Sequence, residues 1–202
     1  MPTALLTPRP VDLDINVAAT LPVVALTADL AVREAGLAQG ATLLVLGAAG
    51  AVGSLVTQLA VQSGISIVGS GSPGDLARIE ALGARAAVDR NTDVAARTVA
   101  TIGPVDAIID LVGAAARPSA MAALRPGGRF VTTISGPLPE GLTDPPQKLS
   151  VQPDPNRLGQ LARLVVEGTL QVATGEVLAL SDAGQAYQLA TSAGAAKIVL
   201  KP

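Results

Sequence analysis

The 202-residue sequence contains no histidine, no cysteine and no tryptophan, and only one tyrosine and one phenylalanine. Each absence removes a class of chemistry. A Ser-His-Asp or Cys-His catalytic set needs an imidazole, so neither can form within the chain. Zinc sites draw on His and Cys, so no metal is expected. Without cysteine there is no disulfide framework. Nucleic-acid platforms stack bases on aromatic rings, and a formal net charge of -2 gives no basic footprint, so no nucleic-acid partner is expected either. What is present is aliphatic: 49% of the residues are hydrophobic, with 21 glycines and 15 prolines. Chemistry in such a chain must come from a cofactor or from hydroxyl, carboxylate and backbone groups.

No charged residue occurs between Ala35 and Gly74. A run of about twenty apolar residues is enough for a transmembrane helix. This stretch, however, is broken by glycines, among them Gly40, Gly47, Gly50, Gly53, Gly64, Gly69 and Gly71, and changes period part-way. Leu43–Leu46 is a continuous apolar run, as in a strand buried on both faces. Leu55, Val56, Leu59 and Ala60 then recur at helical spacing. A soluble α/β segment is therefore expected, with no membrane partner. The N-terminus carries no basic region ahead of an apolar core, so no secretory signal is visible and a cytoplasmic location is expected.

The rest of the chain alternates strand and helix. Strands are predicted at 43–46, 66–69, 84–88, 105–112 and 129–134, with a loop at 70–74. Helices are predicted at 54–61, 75–82, 93–102 and 115–124. Such alternation implies βαβ units and a doubly wound parallel sheet, a Rossmann-like α/β fold. Residues 1–16 read as a lead-in. A helix over 18–35 is interrupted at Pro22. The dinucleotide-binding domain spans 17–155 and ends in a proline-rich connection from Ser135 to Pro155. A C-terminal appendage, 156–202, begins with a helix capped by Asn156. Strands near 170–174 and 177–180 follow, then a helix from Ser181 or Asp182 to Ser192 and a last strand at 196–200.

The most informative motif is Gly47-Ala48-Ala49-Gly50-Ala51-Val52-Gly53, set between the first strand and a helix. Glycines at this spacing form a tight turn whose backbone N–H groups can face a pyrophosphate on the helix N-terminus. Gly50 lets the backbone approach the phosphate, and Gly53 lets the helix pack on the strand. The alternative is a packing turn without a ligand.

The sequence resembles the zinc-independent quinone oxidoreductase branch of the medium-chain dehydrogenase/reductase superfamily. The resemblance rests on Ala18-Ala19-Thr20-Leu21-Pro22, Leu26-Thr27-Ala28, the 44–53 segment, Gln58-Leu59-Ala60 and Leu82-Gly83-Ala84. It continues through Val105–Gly113, Gly127-Gly128-Arg129-Phe130-Val131, Leu164–Leu170 and 196–200. It implies a nicotinamide cofactor, a small apolar substrate and a homodimer. It also implies that this chain starts where the family's GroES-like domain hands over to the nucleotide-binding domain, and that the appendage is a remnant of that catalytic domain. Thr27 matches a family threonine near the nicotinamide half.

NADP(H) is favoured over NAD(H). An NAD site usually carries an acidic residue at the end of the second strand, and Val68-Gly69-Ser70-Gly71-Ser72 has none. Ser70, Ser72 and Arg78 suit a 2′-phosphate, against which Asp75 stands as a like charge; the serines also suit ordinary turn chemistry. Leu111, Val112 and Gly113 end the fourth strand, and Ser135 follows the fifth, where ligands sit in open α/β sheets or where residues simply pack. No catalytic acid or base stands out. Tyr187 reads as structural, and Asp106 and Asp110 as strand-end residues. The leading expectation is an NADPH-dependent, zinc-free oxidoreductase-like protein that reduces a quinone or enone. Two alternatives remain: a non-redox enzyme, such as a cyclase, on a shortened scaffold, and a non-catalytic cofactor-binding or interaction module.

Overall fold

Thr42–Leu46 (β1) reads Thr-Leu-Leu-Val-Leu, and all four of its apolar residues are buried. A strand apolar on both faces belongs in the middle of a parallel sheet. In the computed structural model, which describes residues 3–113, 115–191 and 197–202, β1 does lie in the middle. In chain order the elements are α1 (Ile15–Ala35), β1, α2 (Ala51–Gln62), β2 (Ser66–Gly71), α3 (Leu76–Ala81), β3 (Ala86–Asp89), α4 (Val94–Ile102) and β4 (Val105–Asp110). They continue with α5 (Arg117–Met121), β5 (Leu124–Thr132), β6 (Gln147–Lys148), α6 (Pro155–Val166), β7 (Thr174–Ala179), α7 (Ala183–Ala190) and β8 (Lys197–Lys201). Six strands form one sheet in the order β3-β2-β1-β4-β5-β6, every pair parallel. That order is the doubly wound, Rossmann-like one, and it reverses direction between β1 and β4.

The chain divides into two compact units. Thr27–Ser150 is one; the other joins the residues through Leu26 to those from Val151 onward. Within the first of these, helices cover both sheet faces. Leu44, Leu46, Val68, Val88, Ile108 and Phe130 form one core with Val94 and Ala95 of α4 and Ala120 of α5. On the opposite face Gly69 lies against Ile79 of α3. Each fully buried Leu or Ile here contributes about 2 kcal/mol of transfer free energy. In the second unit, β7, α7 and β8 make a parallel strand-helix-strand unit, the expected appendage.

Several element boundaries differ from the sequence expectation. α1 starts at Ile15, where the Asp14 carboxylate accepts from Asn16 N at 2.8 Å and Val17 N at 3.1 Å. It then runs unbroken through Pro22. A proline costs a helix its local backbone bond, and the buried neighbours Leu21, Val24 and Ala25 hold the turn in place. Ser70 and Gly71 belong to β2 rather than to a loop, because both pair with β3. β5 reaches back to Leu124, with a register shift where 125–128 loop out. The cap of α6 is Asp154, not Asn156: it accepts from Arg157 N at 2.9 Å, with Pro155 in the first helical turn. Residues 170–173 are not a strand, and β7 is a single strand from Thr174. Ser192 and Ala196, the expected helix end and strand start, lie outside the described residues. α1 is long and apolar enough to cross a membrane by length and composition, and 44% of its most apolar window is buried; it also carries the Asp29–Arg33 ion pair at 2.9 Å.

At the amino end of β4, Asp106 clips β4 to β1. Its carboxylate accepts from Thr42 N at 2.7 Å and Thr42 Oγ1 at 2.9 Å, and pairs with Arg125 Nε at 2.6 Å. Burial pushes this carboxyl up, but the Thr42 bonds and Arg125 outweigh burial and hold it below the usual aspartate value. A carboxyl depressed in the folded state contributes stability above its unfolded value of about 3.9, and that stability is lost as pH falls through the folded value. Urea midpoints measured from pH 6 to pH 2 should therefore fall less steeply below about pH 4 in Asp106→Asn than in the wild type.

Candidate functional site

The turn after β1 is built from short backbone contacts. Gly47 has φ +80°, the left-handed region that glycine occupies without strain. Gly50 N donates to Gly47 O at 3.0 Å, and Ala48 N donates to Ser70 O at 3.0 Å. Gly50 caps α2 in an extended conformation with no side-chain cap, and the first turn of α2 holds no acidic residue. The N–H groups of Ala51, Val52 and Gly53 fall in the first turn, where a helix has no internal acceptor for them. Partial positive charge therefore gathers at this helix end. A Cβ on Gly53 would lie 2.1 Å from Gly47 O and 2.9 Å from the α-carbon of Ala48. Both atoms are backbone and cannot swing aside.

The other expected residues fall into three groups. Val112 and Leu111 belong to the turn's surroundings: a Cβ on Gly47 would lie 2.9 Å from Val112 Cγ2, and Leu111 N donates to Leu46 O at 3.2 Å. Gly113 follows, and its N–H donates to Asp110 Oδ1 at 2.9 Å. The carboxyl ends of β1 and β4, where the sheet order reverses, therefore meet at the turn. Ser70, Ser72 and Arg78 make the second group. Ser70 is 3% exposed, and its Oγ accepts from Gly47 N at 3.4 Å, so it braces the turn rather than standing open to a phosphate. The Ser72 hydroxyl donates to Asp75 Oδ2, and Arg78 donates to Ala49 O and sits 3.4 Å from Asp75 Oδ1. The Ser72 bond, helped by Arg78, keeps the Asp75 carboxyl below its ordinary value despite an opposing push from burial. The last group is not joined to the turn. Thr27 is half-buried on α1, and Ser135 is exposed after β5; no hydrogen bond links either to the turn among the described residues.

Two features escaped the sequence reading. Asp110 is fully buried and paired with Arg117 at 2.7 Å. An acid closing an apolar strand was the available signal, since such a charge needs a partner. Tyr187, read as structural, is 74% exposed. Asp106 and Asp110 sit four residues apart on one strand, about 13 Å, and engage different partners, as strand-end residues do.

A parallel sheet in this order, with a glycine turn at its reversal point, defines the Rossmann-like nucleotide-binding class of fold. The profile of the family described as “Zinc-binding dehydrogenase” matches residues 82–200. The chain belongs to that family, within the medium-chain dehydrogenase/reductase superfamily. It is similar to the quinone oxidoreductase from Coxiella burnetii (29% identity, TM-score 0.83), covering 96% of this chain and 63% of that one. An NAD-dependent alcohol dehydrogenase is 28% identical with TM-score 0.86, covering 100% and 63%. The 2-methylene-furan-3-one reductase of Solanum lycopersicum is 41% identical over 83 residues, which are 40% of this chain and 21% of the reductase. The chain thus spans less than two thirds of each. The residues present do not fit a zinc ion: the sequence has no His or Cys, and among the described residues no three acidic groups gather.

The crowding around each glycine orders them by cost. Gly53→Ala should lower unfolding stability by about 1–3 kcal/mol. Gly50→Ala, whose Cβ would sit 3.3 Å from Gly47 O, should cost under about 1 kcal/mol. Urea unfolding of the two variants checks the order.

Proposed function

We propose that the chain binds a nicotinamide adenine dinucleotide, NADPH in preference to NADH, as the cofactor-holding part of a zinc-free oxidoreductase that reduces a quinone or an enone. The observation that carries the reading is the Gly47–Gly53 turn, tight enough to exclude side chains and opening onto an uncapped helix at the reversal point of the sheet. When bound, the nicotinamide supplies a hydride, and the chain's own task is to bind and orient it. The N–H groups of Ala51, Val52 and Gly53 suit the pyrophosphate, and exposed Gly50 leaves room for its approach. The Leu111–Gly113 segment suits the second nucleotide half. Quinone and enone acceptors are supported by the names of two relatives, a quinone oxidoreductase and a furanone reductase. An apolar cavity of about 380 Å³ in the other unit, lined by Leu5, Pro22, Val23, Leu26, Val151 and Leu158, suits a small apolar molecule.

The NADPH preference is supported by Arg78 and Ser72 beside the turn and by the absence of any acid in β2. Asp75 weakens it, because a 2′-phosphate must compete with that carboxylate for both groups. Calorimetric titration of NADPH and NADH into the purified chain tests the proposal, and binding of neither at millimolar concentration overturns it. Asp75→Asn should strengthen NADPH binding about fivefold, roughly 1 kcal/mol of removed like-charge repulsion, and leave NADH nearly unchanged.

A further inference from the structure

Asp110 and Arg117 are 0% and 3% exposed, and every polar atom of the pair has a partner. Asp110 Oδ1 accepts from Val112 N at 3.0 Å and Gly113 N at 2.9 Å. Its Oδ2 accepts from Arg117 Nε at 2.7 Å. The other arms of the guanidinium reach a different segment. Nη2 donates to Ile134 O at 3.1 Å and to Thr132 Oγ1 at 3.3 Å, and Nη1 donates to Pro137 O. Thr132 Oγ1 in turn donates to Asp110 O at 3.0 Å. The guanidinium carbon lies 5.9 Å from the centre of the Phe130 ring. One ion pair therefore fixes the backbone of two loops, 111–113 after β4 and 133–137 after β5.

A buried ion pair is a poor source of net stability, because desolvating two charges offsets most of their attraction. What an apolar pair of the same size could not do is hold four backbone groups on two loops at once. Both loops leave the carboxyl ends of strands in the β4-β5-β6 half of the sheet. In a doubly wound sheet the dinucleotide lies across these ends, one nucleotide on each half. The glycine turn and Arg78 serve the adenosine and pyrophosphate side. We infer that Arg117 is a positioning residue for the nicotinamide half of the cofactor: it touches no cofactor atom and acts by holding the two loops in register through Asp110. The inference rests on the dinucleotide reading above.

The test compares NADPH with 2′-phospho-ADP-ribose, the same molecule without its nicotinamide. Dissociation constants are measured for both with the full chain as wild type, Arg117→Lys and Thr132→Val. Lysine keeps the charge opposite Asp110 but lacks the planar fork that reaches Ile134 and Pro137 as well. In Arg117→Lys, NADPH affinity should fall about tenfold through loss of orientation, while the fragment stays within about twofold of wild type. Thr132→Val, which keeps the ion pair and loses only the hydroxyl between its partners, should show the same selective loss at about threefold. It keeps the question open to measurement should the lysine variant fail to fold. Equal losses of NADPH and fragment would mark a merely structural role and overturn the inference, as would unchanged NADPH binding in the variants. A wild-type chain that binds neither molecule overturns the dinucleotide reading itself, and the inference falls with it.

Discussion

The approach of Gly53 to the Gly47 carbonyl is the contact on which the site depends. A single added carbon at Gly53 would meet backbone at 2.1 Å, so α2 lies against the end of β1 as closely as two backbones allow. That closeness brings the first turn of the helix, whose N–H groups have no acceptor within the helix, to the carboxyl end of the central strand. Neighbouring strands are secured to the same spot. β2 holds the turn through Ser70, whose carbonyl accepts from Ala48 N and whose hydroxyl accepts from Gly47 N. β4 closes on it through Val112. Three strands thus converge on one turn, which stands where the strand order reverses between β1 and β4, the point at which doubly wound sheets take ligands.

The acids of β4 divide the labour of its two ends. At the amino end, Asp106 binds Thr42 of β1 and Arg125 of β5 in partial contact with solvent and so ties three strands together. At the carboxyl end, Asp110 is fully buried and organises loops. The same residue type on the same strand performs both roles because burial changes what a charge requires. A half-exposed carboxylate keeps some water, whereas a buried one must find a partner for each lone pair. Asp110 takes Val112 N and Gly113 N as partners of one oxygen and Arg117 as a partner of the other, and this links its burial to the order of the loop.

Central strands were the legible part of the fold. β1 is a continuous aliphatic run and β4 carries the buried aliphatic stretch Ala107–Ile109, because both faces of each strand are covered. The glycine turn was legible because its spacing has a steric meaning. Boundaries set by tertiary packing were not. β2 ends in Ser70 and Gly71, residues that suggest a loop, yet Gly71 is small because Ile79 and Asp75 of the following segment crowd it. The continuity of α1 through Pro22 depends on the burial of Leu21, Val24 and Ala25, which no local pattern reports. β7 lacks a buried alternation, so its two ends read as separate strands. Arg117 was invisible for a further reason: its partners lie at positions 110, 132, 134 and 137, and only the fold makes them neighbours.

The same distinction applies to cofactor preference. By composition, Ser70 at the end of β2 and Ser72 and Arg78 after it form a single phosphate-binding set. Geometry separates them. Ser70 points inward and stabilises the turn, while Ser72 and Arg78 are both engaged by Asp75. A ligand phosphate can recruit the exposed Arg78 only by competing with a carboxylate already held in its ionised form by that arginine and by Ser72. The competition takes place in solvent, where like-charge repulsion is screened and amounts to a modest fraction of a binding free energy. On the proposed reading, Asp75 would set selectivity between the two nicotinamide cofactors as a graded bias, and the glycine turn would set the affinity common to both.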